Sequence, residues 1–99
     1  MSDEHLNDQE EHPHLLLVDD DATFTRVMAR AMERRGLRVS VANSADEGLA
    51  LAKEDLPDYA VLDLKMEGDS GLVLLPKLLE LDPEMRVVIL TGYSSIATA

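Results

Sequence analysis

Three short apolar runs, each ending on a polar residue able to do chemistry, constrain this chain more than any other feature. Leu15-Leu16-Leu17-Val18 ends on Asp19-Asp20-Asp21, Tyr59-Ala60-Val61-Leu62 ends on Asp63, and Val87-Val88-Ile89-Leu90 ends on Thr91. The first run, apolar on consecutive rather than alternate residues, reads as a strand buried on both faces, as in a parallel sheet with helices on either side. In such sheets ligands bind beyond the carboxyl ends of the strands, so the residues at these ends are the first candidates for a site. The three ends are expected to converge, with Asp63 as the reacting group.

The segments between the runs read as helices. Phe24, Val27, Met28, Ala31 and Met32 recur at helical spacing and predict an amphipathic helix. Arg34 and Arg35 lie in its last turn, where cations favour the dipole, and Gly36 supplies a left-handed stop. Val39 and Val41 alternate with polar residues and mark a second, more exposed strand. Ser44 followed by Glu47 is a capping box, opening a helix that buries Ala45, Leu49 and Ala52. Leu72, Leu75, Leu78 and Leu79 mark a further helix with Pro76 inside it, which predicts a kink or a late start. Strand and helix thus alternate with short connections, which predicts an α/β fold with a doubly wound parallel sheet.

Ninety-nine residues suffice for one small domain with one core. Residues 1–13 are polar, acidic and aperiodic, predicting a disordered acidic leader ahead of a domain over 14–99. His5, His12 and His14 fit no compact ligand spacing and are read as solvated tail. A formal charge of −11 excludes a nucleic-acid grip by these residues, because phosphate binding needs a basic surface. The same charge suits a cation or a basic partner face. No cysteine is present, which removes disulfide and thiolate chemistry, and no apolar run approaches membrane-spanning length. A cytoplasmic location is the expectation.

If the strand ending on Asp63 lies beside the first, in the order 2-1-3-4-5, then Asp19, Asp20 and Asp63 meet at the switch point. Three clustered acids repel and raise one another's pKa, so the cluster calls for a countercharge. Mg²⁺ is the natural choice, being hard and commonly held by one or two carboxylates plus waters and phosphate oxygens. A carboxylate beside such a metal can act as a nucleophile toward phosphorus. Thr91 could donate its hydroxyl to a phosphoryl oxygen. Asp21 reads better as the cap of the first helix, and Gly92 either as a plain turn or as space left for a phosphoryl group.

The ordered set Leu-Leu-Leu-Val-Asp19-Asp20-Asp21, Val-Leu-Asp63-Leu-Lys65-Met with Gly71 eight residues beyond Asp63, and Val-Ile-Leu-Thr91-Gly92 resembles the receiver domain of two-component response regulators. The resemblance runs from about Leu15 to Ala99. The tail beginning Leu-Thr91-Gly-Tyr-Ser-Ser also resembles the RegA/PrrA/ActR group within that family. The resemblance implies a flavodoxin-like sheet, strand order 2-1-3-4(-5), whose fifth strand and helix are absent from these residues. It implies that Asp63 accepts a phosphoryl group from a sensor histidine kinase. Mg²⁺ would be held by Asp19, Asp20, Asp63 and the backbone carbonyl of Lys65, with Thr91 as the switch hydroxyl. Glu67, which stands where the family commonly has proline, Gly92 and Tyr93 would rim the site. With the fifth strand go the family's lysine and switch aromatic, so poor phosphorylation of these 99 residues is expected, as is dimerisation or swapping along an exposed fourth strand. A C-terminal DNA-binding output domain, controlling transcription, would follow outside this sequence.

Two rivals stand beside this reading. Asp19-Asp20-Asp21-Ala22-Thr23 after an apolar strand also fits the nucleophile motif of haloacid-dehalogenase-like phosphatases, with Asp19 attacking phosphorus and Asp21 as general acid. A pseudo-receiver, a docking module that is not phosphorylated, would keep the fold without the chemistry.

Overall fold

The computed structural model describes residues 12–64 and 71–90. Within them the chain runs β1 (His14–Val18), α1 (Ala22–Arg34), β2 (Arg38–Ala42), α2 (Ala45–Glu54), β3 (Tyr59–Asp63), α3 (Gly71–Leu81) and β4 (Arg86–Leu90). The strands form one parallel sheet ordered β2-β1-β3-β4, so the expected order holds and β1 lies at its centre. All five residues of β1 are buried, as the unbroken apolar run required. β2 is more exposed and lies at the edge, which accounts for its alternating pattern.

Each helix boundary has a local chemical cause. Asp21 accepts the Phe24 N–H through its side chain and caps α1, the role assigned to it from sequence. Gly36 follows α1 with φ of 94°, a left-handed conformation in which a side chain would be strained. Ser44 caps α2 by accepting the Glu47 N–H. Pro76 is accommodated inside α3, which begins at Gly71; the alternative of a late start after the proline is therefore corrected. Lacking an N–H, Pro76 donates nothing back along the helix.

The core lies between the sheet and the α2–α3 layer. Leu16, Val18, Ala60 and Leu62 project from one sheet face onto Ala45, Ala52, Leu74 and Leu78. On the other face α1 lies over β1 and β2. The helical stripe expected on α1 is only partly covered: Phe24, Met28, Ala31 and Met32 are half-buried, Val27 is 63% exposed, and Thr25 is buried instead. Beside α1 an apolar groove of about 420 Å³ runs past Leu15, Met28, Met32, Val61 and Val88.

His14 corrects a second expectation. It is 2% exposed and opens β1 rather than closing a solvated tail. Its Nε2 shares a 2.7 Å hydrogen bond with the Ser40 hydroxyl, while Nδ1 has no hydrogen-bond partner and lies 3.8 Å from Asp55. The backbone explains the burial: β1 is flanked on both sides, and its first residue is clamped by Asp58, which accepts the His14 N–H on its side chain and donates its own N–H to the His14 carbonyl. The two residues before it are also tied down. Pro13 accepts the Arg38 N–H, and His12 Nδ1 is 2.6 Å from the Gly36 carbonyl. The rest of the expected leader lies outside the described residues.

Candidate functional site

Strand register places the acids. Val18 pairs with Leu62, so the residues one step further along β1 and β3, Asp19 and Asp63, emerge side by side at the carboxyl end of the sheet. Asp20 begins the turn into α1. One carboxylate oxygen from each of Asp19, Asp20 and Asp63 lies within 4.8 Å of the other two. Asp19 and Asp63 are 7% and 8% exposed, while Asp20 is exposed at the rim. Among the described residues this is the one group of His, Cys, Asp or Glu side chains close enough to share a metal ion.

The Asp19 loop is held by three hydrogen bonds. Its N–H donates to the Ala42 carbonyl, its own carbonyl accepts from Asn43 Nδ2 at 2.8 Å, and its Oδ1 accepts the Asp21 N–H at 2.9 Å. Burial pushes the Asp19 carboxyl above its ordinary value; the Asp21 N–H opposes this, and the neighbouring Asp63 and Asp20 charges add to the rise. Two nearly buried carboxylates and a third at the mouth form an acidic, oxygen-only donor set, which fits a hard divalent cation and nothing softer.

Of the residues singled out from sequence, the structure brings together Asp19, Asp20 and Asp63. Thr91, Lys65, Glu67, Gly92 and Tyr93 lie outside the described residues. Asp21 points its carboxylate at the α1 N-terminus, which occupies the group that the phosphatase reading needed as its general acid. Asn43 was missed. A polar residue after a strand carries no sequence signal beyond that of a turn, and only the fold shows it reaching 24 positions back along the chain.

Residues 15–99 match the response regulator receiver domain family. The chain belongs to that family. It is 43% identical over 99 residues to the photosynthetic apparatus regulatory protein RegA of Rhodobacter capsulatus, covering 100% of this chain and 54% of the relative. The acid tolerance regulatory protein ActR of Rhizobium meliloti is 47% identical over 85 residues, which are 86% of this chain and 44% of the relative. The chain therefore spans about half the length of these curated relatives. A solved response regulator from Burkholderia pseudomallei superposes with a TM-score of 0.79 at 42% identity, covering 88% of this chain and 51% of that one. That crystal structure holds a phosphorylated aspartic acid, a calcium ion and citrate. A receiver domain from Methanospirillum hungatei superposes with a TM-score of 0.80 at 33% identity, covering 86% of this chain and 68% of that one. Receiver domains are signalling modules of two-component systems, and the 2-1-3-4 sheet with its acidic pocket is the receiver fold.

Proposed function

We propose that this receiver domain takes a phosphoryl group from a sensor histidine kinase onto Asp63. The observation that carries the reading is the convergence of Asp63 with Asp19 and Asp20 within 4.8 Å at the carboxyl end of the central strands. An Asp63 carboxylate oxygen attacks phosphorus, forming a P–O bond. The P–N bond to the kinase imidazole breaks, and the departing ring nitrogen keeps the electron pair. Asp63 is 8% exposed at the end of β3, where it pairs with Leu90 of β4, which limits the water around the attacking oxygen and the directions from which it can be approached. Asp19 and Asp20, with the Lys65 carbonyl, would hold Mg²⁺ alongside Asp63. The cation, when bound, neutralises the carboxylates and the phosphoryl oxygens that would otherwise repel them. Thr91 is proposed as the hydroxyl that moves toward the new phosphoryl group, with Glu67, Gly92 and Tyr93 at the rim. The proposed consequence is control of a transcriptional output domain beyond these residues.

The test is acetyl phosphate or a partner kinase with MgCl₂, read by intact mass and then by mapping the modified residue. One added phosphoryl group on Asp63, absent from Asp63→Asn, is the expected result. Modification of Asp19 instead would return the phosphatase reading, and no modification at all, in a chain lengthened by the fifth strand and helix as well as in these 99 residues, would favour the docking module. Pairing of a second copy along β4 is an accompanying proposal, checked by sedimentation against concentration.

A further inference from the structure

We propose that Asn43 is a positioning residue of the acidic site, setting the direction in which Asp19 and Asp20 present their carboxylates. The inference rests on the reading that these acids hold a divalent cation.

Asn43 follows β2 and is exposed, yet its amide donates to the Asp19 carbonyl at 2.8 Å. That carbonyl belongs to the peptide unit joining Asp19 to Asp20. Because the unit is planar, fixing its oxygen also fixes the plane from which Asp20 departs. The preceding peptide is fixed as well, since the Asp19 N–H donates to Ala42. Two successive residues at the end of β2 thus grip both sides of Asp19.

Asn43 is itself held. Its N–H donates to Glu47 Oε1 at 2.9 Å, and the Glu47 N–H donates to Ser44 Oγ. The glutamate of the capping box thus reaches the residue before the cap rather than the cap itself. It anchors Asn43 to the first turn of α2 while the cap serves the helix. That turn is seated against the site strand: a Cβ at Gly48 would come within 3.0 Å of Val18 and 3.2 Å of Leu74. The end of β1 and the start of α2 are therefore one packed unit, with the Asn43 amide as its polar link.

The link has work to do because three carboxylates within 4.8 Å push one another apart. Asp20 is the exposed member of the three, on the turn that follows the Asp19–Asp20 peptide. Holding the Asp19–Asp20 peptide keeps the donors together before a cation arrives, so less of the binding free energy goes into ordering the loop. Groups that orient metal ligands in this way commonly change affinity by about 10–100-fold when removed.

The experiment measures Mg²⁺ affinity by titration calorimetry on the full 99-residue chain, wild type against Asn43→Ala and Asn43→Leu. The leucine variant keeps the shape of asparagine and removes its donor. Ser44→Ala, which weakens the same helix cap without touching Asp19, is the control, and urea unfolding in EDTA reports stability separately. The expected result is Mg²⁺ binding about 10-fold weaker in both Asn43 variants, with Ser44→Ala losing stability but keeping its affinity. Wild-type affinity in the Asn43 variants would overturn the inference and leave the cation site standing. Equal weakening in Ser44→Ala would overturn it too, because any loosening of the corner would then suffice. Absence of Mg²⁺ binding by the wild type would instead remove the cation site itself, and the role of Asn43 with it.

Discussion

Replacing Asp63 by asparagine is expected to stabilise the folded chain when no divalent cation is present. Asp63 and Asp19 are both nearly buried, and their donor oxygens lie within 4.8 Å. Two unit charges at that separation repel by about 0.9 kcal/mol in water and by about 3.5 kcal/mol at an effective dielectric of 20. The pair sits between these environments, so removing one charge should yield about 1–3 kcal/mol at pH 7. For a domain of this size each kcal/mol raises Tm by about 4–8 °C. The sign of the pH dependence follows from Asp19. Its carboxyl is raised above 3.8 in the fold, so the folded chain holds that proton more tightly than the unfolded chain. Burial, the largest cause of that rise, persists in the variant. The part due to Asp63 penalises only the wild type above the raised value and is relieved as pH falls through it, so the advantage of Asp63→Asn should shrink on acidification toward 3.8. Urea unfolding followed by circular dichroism in EDTA, repeated from pH 7 downward, measures both effects. On the proposed cation site, saturating Mg²⁺ should reverse the order, because the wild type would offer the ion one more carboxylate. A variant less stable than the wild type in EDTA at pH 7, or an advantage that does not change on acidification, would refute the reasoning.

Three further outcomes are expected. Leu78→Ala empties a fully buried position where α3 meets the sheet and should cost about 2–5 kcal/mol in urea unfolding. Gly36→Ala should cost about 1 kcal/mol through backbone strain alone, since φ is 94° and the added Cβ meets nothing within 4 Å; an unchanged unfolding midpoint would contradict this. The Arg38 guanidinium, 2.8 Å from Asp55, holds that carboxyl below its ordinary value. Its contribution is present above pH 3.8 and lost as pH falls through the lowered value, so Arg38→Ala should move the Asp55 carbon resonance titration upward.

The parts of the fold that sequence reveals are those governed by local chemistry. Asp21, Gly36, Ser44 and Glu47 act within a few residues of themselves, and their helix ends are where their side chains predict. The end of β1 was legible because burial on both faces leaves no polar alternation to confuse it, whereas β4 is equally apolar in sequence and yet leaves Val88 52% exposed. His14 was misread because its burial has no local cause: it comes from β2 and β3 closing on either side of β1, and from Asp58 arriving 44 positions later. The α1 stripe shows a related limit. Periodicity at Val27 and Met28 reports that one face is apolar, but what covers that face is decided by the packing of distant elements. Within the site, Asp19 and Asp63 could be named from their strands, whereas Asn43 acts across the chain and leaves no pattern.

The pairing of Val18 with Leu62 gives the domain an unforgiving geometry for change in length. A residue inserted between Tyr59 and Leu62 would carry Asp63 about 3.3 Å along the strand and turn its side chain to the opposite face. The apolar residues around it could still find buried positions, because β3 is apolar on both faces. Such a chain would fold and would place Leu62 where the acid belongs. Added length is better tolerated in the connection between α2 and β3, before the clamp of Asp58 on His14, which sets where the strand begins. In this receiver, substitutions test the chemistry of the acids one at a time, but a single insertion in β3 removes the site as a whole.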